Sequence, residues 1–351
     1  MSMWLILLPL GAALAVWLLP LDRLAATGLA LTAAAAEVGL WIACLVRYDL
    51  NQSAEQLGAR ATWFKDLGVT FSVGLHQYAL WLVGMTAIVT FACIAYGAWA
   101  GRERPRAYFG LMLFLLAAVV AVFEAQDLLL FYVAWEAMLI PLYFLVGVWG
   151  GPGRAAATYK FVVYTIAGSL LMLASIIVYG LQQGNFSMEL GKGSQSMWLF
   201  LGFAAAFAIK APLFPLHGWL PQAYRESPPE VAALLSGVVS KTAAYGLIRI
   251  GLFHFGLPMD DISTAVLALG AVGLVYGSIV AFRQPDLRGV VSYSSLAQMG
   301  LISMGIFALD LGGLNGAVLQ MVNHGFVSAA MFLTVGIIER RTGTADIATL
   351  G

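Results

Sequence analysis

Glu136, Lys210 and Lys241 are charged residues set near the middle of apolar stretches long enough to cross a membrane. An ionisable side chain at bilayer mid-depth costs at least ~2.5 kcal/mol on insertion scales, so such groups point by default to an ion or proton path. Glu136 lies nine residues into its stretch, roughly 14 Å deep at the helical rise per residue. A carboxyl there binds a proton when desolvated and releases it when a cation pairs with it; the alternative is a fixed ion pair joining two helices. Lys210 and Lys241 stand thirteen and eleven residues inside their stretches, too far for easy snorkelling. A lysine at that depth can exchange its proton near neutral pH when its counter-charge moves; the alternative is a paired lysine with no transport role. His324, ten residues into the last stretch and next to Asn323, is a second proton carrier or a hydrogen-bonded core histidine. His217 either stabilises or lines a helix break described below. Ser292, Tyr293, Ser294, Ser295 and Gln298 form a hydroxyl and amide run that holds ordered water or joins helices. Glu124 and Asp127 fall between two stretches and read as solvated surface groups.

The elements that must position these groups are helices in a bilayer. The chain has 351 residues, 61% of them hydrophobic and 10% charged, against roughly 25% charged in a soluble domain. A formal charge of zero gives no reason to expect nucleic acid. Cys44 and Cys93 stand singly in apolar segments, without redox or metal spacing, and read as small hydrophobes. Residues 3–20 lack a positive leader and a cleavage site, which predicts a retained first helix.

A span needs about 20 mostly apolar residues, which predicts eleven: 3–20, 26–46, 78–100, 107–124, 127–148, 158–181, 197–217, 230–252, 262–282, 288–309 and 314–338. Spanning strands would be shorter and strictly alternating, so the fold class is an all-α polytopic membrane protein. Loops after odd-numbered spans carry eleven Lys and Arg, and loops after even-numbered spans five, namely Arg47, Arg60, Lys65, Lys192 and Arg249. The positive-inside rule then places the N-terminus outside, the C-terminus in the cytoplasm, and 47–77 as the largest outer loop. Pro212, Pro215 and Pro221 follow Lys210 in KAPLFPLHGWLP, which predicts a broken seventh helix, because interior proline removes a helical hydrogen bond. Broken backbone at membrane depth survives where it lines a cavity. YKFVVYTIAGSLLMLASII and LQMVNHGFVSAAMFLTVGII share a polar start followed by small residues, suggesting an internal repeat. There is no dinucleotide fingerprint, P-loop or metal-ligand cluster, so the driving energy is expected from an ion gradient or a partner subunit.

Four segments carry a family resemblance: FYVAWEAMLIPLYFLVGVWGG, FAIKAPLFPLHGWLPQAYRESPPEVAALLSGVVSKTAAYGLIRI, QPDLRGVVSYSSLAQMGLISMGIFA and LQMVNHGFVSAAMFLTVGIIERRTG. From about residue 107 to the end the chain resembles the antiporter-like proton-translocating subunits of respiratory complex I, the proton-pumping NADH:quinone oxidoreductase. These are relatives of multisubunit sodium/proton antiporters, and the motifs resemble the M subunit (chain 4 in mitochondria) more than the L or N subunits. The resemblance implies a domain plan of 1–106 for the first three helices, 107–252 for a first five-helix repeat and 253–351 for an incomplete second. It implies that Glu136 and Lys210 interact and exchange protons, that Lys241 centres a water-filled polar axis, and that His324 continues it; His217, Ser295 and Gln298 stand as secondary candidates on the reading of the residues themselves. It also implies an inner (plasma) membrane location in a bacterium and L-like and N-like partner subunits. No cofactor is expected in this chain; NADH, flavin, iron–sulfur clusters and quinone are expected in partner subunits, with quinone reduction as the driver. The same helices would serve a cation/proton antiporter or a membrane-bound hydrogenase, and a structural scaffold is the alternative of another class.

Three departures stand out. Gln298 takes a position where the family usually has histidine; VGLHQYALWL, with His76 and Gln77, replaces an acidic stretch; and the family's roughly fourteen helices compare with eleven spans here. The resemblance places the proton-releasing residue in a twelfth, also broken, helix beyond these eleven.

Overall fold

The computed structural model describes residues 1–52, 54–188, 196–255 and 257–350. In chain order the helices are α1 Met3–Leu18, α2 Arg23–Arg47, α3 Gln77–Ala100, α4 Pro105–Glu124, α5 Leu128–Ala137, α6 Leu139–Trp149, α7 Arg154–Gln183, α8 Met197–Lys210, α9 Leu220–Glu226, α10 Pro229–Leu234, α11 Ser240–Gly246, α12 Leu257–Phe282, α13 Leu287–Phe307, α14 Leu311–Thr342 and α15 Ile347–Leu350. Among the described residues nine helical runs are long and apolar enough to cross a membrane, and α1 and α8 are shorter apolar helices. These segments fall on the eleven stretches expected from hydropathy. Lys192 lies outside the described residues.

Two compact units divide the chain, and the first comprises Met1–Leu145 with Gly180–Ser187. In it α1 packs on α2 and α4, and α2 on α3 and α4. The expected outer loop 47–77 holds an antiparallel hairpin, β1 Gln56–Phe64 with β2 Val69–Leu75, in which Ala59 faces Val73 and Arg60 faces Ser72. Gly68 closes the turn at φ +67°, a left-handed conformation that glycine adopts without a Cβ penalty. The β2 side chains Val69, Val73 and Leu75 are buried, so this strand packs by an apolar face while β1 stays largely exposed.

The hairpin also corrects the reading of Glu124 and Asp127 as solvated: both are fully buried. Asp127 caps α5 by accepting from the Leu129 and Leu130 N–H groups, and its other oxygen accepts from the Thr70 N–H at 3.0 Å and the Thr70 hydroxyl at 3.2 Å. Burial pushes its carboxyl up from the ordinary value against the pull of these four bonds. The physical reason for the error is that strand β2 covers the α4–α5 corner, a contact between residues far apart in sequence.

The second unit comprises Val146–Tyr179 with Met188–Gly351. Here α13 packs on α12 and α14, and α14 on α10. The run Pro229–Phe255 is wholly buried along its apolar window and is not a regular α-helix: π turns occupy Leu235–Val239 and Leu247–Phe255 on either side of α11. Arg249 sits in the second of these, 4% exposed, which corrects its assignment to an outer loop. Its long aliphatic stem allows it to be taken into a helix interior.

Candidate proton-transfer site

The prolines after Lys210 do end the seventh span: α8 stops at Lys210, and helix resumes only at Leu220. A broken helix leaves carbonyl groups without N–H partners, and the indole of Trp219 turns back to donate to the Ile209 carbonyl at 2.8 Å, beside Lys210. Lys210 is 1% exposed. His217 lies within the break, its ring stacked on Phe214 at 5.6 Å and tilted against Tyr276 at 5.3 Å. Aromatic packing therefore holds this histidine in the non-helical segment.

Lys241 is fully buried on α11. In the π turn before it, the Ser240 N–H bonds the Leu235 carbonyl five residues back, and the Ser236 carbonyl accepts the Lys241 ammonium at 2.6 Å and the Ser240 hydroxyl at 2.8 Å. The lysine also donates to the Ser240 hydroxyl at 3.2 Å and meets His324 Nδ1 at 2.5 Å. An ammonium has three N–H donors, and these three acceptors, one carbonyl, one hydroxyl and one imidazole, are all neutral. The structure thus brings two sequence-predicted residues, Lys241 and His324, into direct contact. Nζ and Nδ1 are both groups that can bind a proton, and they lie within hydrogen-bond distance of each other.

A hydroxyl cluster adjoins the pair. Ser236 Oγ lies 2.7 Å from Ser295 Oγ and 2.5 Å from Ser328 Oγ, joining the first π turn to α13 and α14. The Tyr224 hydroxyl is buried beside Ser236 and Ser295. On α13, Ser292 returns its hydroxyl to the Arg288 carbonyl, and Gln298 Oε1 accepts from Gln320 Nε2 at 2.7 Å. Ser236, Ser328, Tyr224 and Gln320 were not singled out from sequence. A signal existed for two of them: Gln320 and Ser328 lie four residues before and after His324, on one helix face.

Glu136 belongs to the first unit, one residue before the end of α5. The α5–α6 interruption at Met138 precedes Pro141, whose missing N–H deprives the Ala137 carbonyl of its helical donor. The Glu136 Oε1 atom is buried with no hydrogen-bond partner among the described residues. Two further carboxylates in this unit, Glu37 on α2 and Glu124 at the end of α4, are fully buried with both oxygens in that condition. No group of His, Cys, Asp and Glu among the described residues has metal-site geometry.

Buried bases in direct contact next to a proline-broken helix, within an apolar helical bundle, define a membrane subunit of the ion-translocating kind. The family model described as NADH:quinone oxidoreductase/Mrp antiporter matches residues 125–351. NAD(P)H-quinone oxidoreductase chain 4 1 of Synechococcus sp. (strain JA-2-3B'a(2-13)) is 37% identical over 99% of this chain and 67% of its own length. NADH-quinone oxidoreductase subunit M of Rhodobacter capsulatus is 35% identical over 92% of this chain and 66% of its own. A chain of respiratory complex I from Thermus thermophilus superposes with a TM-score of 0.88 at 31% identity, over 99% of this chain and 73% of that one. The chain belongs to the antiporter-like, proton-translocating membrane subunits of complex I, of the M or chain 4 type, and spans about two thirds of the length of these curated relatives.

Proposed function

We propose that this chain moves protons across the membrane within an NADH:quinone oxidoreductase, through Glu136, Lys210, Lys241 and His324, with quinone reduction elsewhere in the complex as the driver. A change in the charge state at Glu136 shifts the proton on Lys210 toward Lys241, and Lys241 passes it to His324. The observation that carries this reading is the 2.5 Å contact between Lys241 Nζ and His324 Nδ1, both buried and surrounded by neutral acceptors. A further positive charge approaching the pair would drive the lysine proton toward the imidazole by electrostatic repulsion. The donor, flavin, iron–sulfur clusters and quinone would sit in partner subunits, and L-like and N-like antiporter subunits would flank this one in the plasma membrane, N-terminus outside.

In reconstituted vesicles, Glu136→Ala or Lys241→Ala should abolish proton pumping per NADH oxidised while the complex stays assembled. Native pumping in either variant would end the proposal. A cation/proton antiporter is the neighbouring reading, since the matching family covers both; sodium-dependent transport without NADH would favour it. Loss of the assembled complex in Glu136→Gln, with no separate pumping defect, would favour a scaffold.

A further inference from the structure

Where α1 ends and α4 begins, the first unit carries an open cavity of about 520 Å³, lined by Arg23, Arg104 and Arg106 together with Trp17, Leu21 and the first turn of α4. No carboxylate lines it. Asp22, next to Arg23, is engaged in capping α2 through the Ala25 N–H at 2.7 Å. Arg106 donates to the Val16 carbonyl at 3.3 Å and the Trp17 carbonyl at 2.6 Å, which uses two of the five N–H donors of a guanidinium. Neither the Arg23 nor the Arg104 guanidinium has a hydrogen bond or ion pair among the described residues. Three arginines thus gather at one membrane end of the unit with no anion between them.

The backbone adds to this charge. Arg104 sits at φ +50° and ψ +56°, a left-handed conformation that a residue with a Cβ rarely adopts and one that collects at ligand clamps. The helix α4 starts at Pro105 without a side-chain cap. The N–H groups of a first helical turn have no partner within their own helix, so the positive end of this helix faces the same space. Apolar surface lies beside it. The Trp17 ring packs against Gly110 and Phe114, as tryptophan does at a membrane–water boundary, while Leu18, Leu19 and Leu24 are exposed.

We propose that this cavity binds the headgroup of an anionic phospholipid. The phosphodiester oxygens accept from the Arg23 and Arg104 guanidiniums, whose planar forks match them, and from the first turn of α4. The acyl chains cover the exposed leucines. A phosphate ion from solution would use the arginines and leave the leucines bare, whereas a phospholipid matches both surfaces. Arg23 opens α2 and Arg104 precedes α4, so one headgroup ties these two helices at the membrane surface. The site is separate from Lys241 and His324, which belong to the second unit, and does not depend on the proton route.

The test uses the full complex in vesicles containing a trace of phosphatidylglycerol or phosphatidylcholine with a photoreactive acyl chain, followed by peptide mapping of the label. Phosphatidylglycerol should label segments 17–24 and 104–107 severalfold more than phosphatidylcholine, whose choline cation opposes the arginines. Arg23→Gln combined with Arg104→Gln should lower that label about tenfold, because charge-assisted pairs are the strong ones, while Arg47→Gln, at the other end of α2, should leave it unchanged. NADH oxidation checks assembly of each variant. Equal labelling by the two lipids overturns the proposal, as does native labelling in the double variant. Loss of label in excess inorganic phosphate, but not in chloride of equal ionic strength, assigns the site to a soluble anion and overturns it too. Absence of label from both segments while phosphatidylglycerol marks other parts of the complex means that a neighbouring protein covers the arginines, which also overturns it. Should the double variant fail to assemble, the comparison of lipids on the native complex still decides.

Discussion

His324 is held by its contact with Lys241, and replacing it by leucine would leave the lysine with two of its three acceptors. A buried donor left unpaired costs ~1–3 kcal/mol, so His324→Leu should lower pumping at least tenfold with NADH oxidation measured alongside as the assembly control. Ser236→Ala removes the hydroxyl that joins Ser295 to Ser328 but keeps the carbonyl that holds Lys241; a milder, severalfold loss of pumping rate is expected. Lys241 and His324 were legible because charge and imidazole are rare and costly in apolar stretches. Serines carry no such signal, since a hydroxyl in a membrane helix can satisfy itself on its own backbone, as Ser292 does. Glu124 and Asp127 were misread because distance from a span end in sequence says nothing about a hairpin folded over that corner.

At the scale of elements, the π turns around α11 aim Lys241. The first of them approaches α14 so closely that a Cβ on Gly237 would meet the Gly325 carbonyl at 2.8 Å. Gly237→Ala should therefore push α14 from the turn, one residue from His324, and depress pumping while leaving the redox reaction measurable; a native rate would show that the Lys241–His324 spacing tolerates the shift. Asp127 plays the corresponding part in the first unit, where it binds α5 to the hairpin. Asp127→Ala should lower the thermal unfolding midpoint of the solubilised protein, with a cost of ~1–2 kcal/mol from the cap alone. The broken helix was readable from its prolines, each of which removes a donor. The π turns were not, because one extra residue in a turn leaves hydropathy unchanged, and the hairpin was hidden inside a segment that only its polarity had marked as a loop.

For the whole molecule, the distribution of Lys and Arg predicts a side for each loop. Of the five charges counted on the outer side, Arg249 is buried in a helix, which strengthens the bias toward the cytoplasm for the loops after odd-numbered spans. A cysteine placed at Asp49 should react with a membrane-impermeant thiol reagent from outside intact cells, and one at Glu103 only after the membrane is opened; both native cysteines are buried and give little background. The central claim, that Lys241 exchanges a proton and does not merely carry charge, is tested most directly by Lys241→Arg in vesicles containing the full complex. Guanidinium keeps its proton at any physiological pH, so the account predicts that pumping per NADH oxidised falls to the level of Lys241→Ala; pumping at the native level would contradict it.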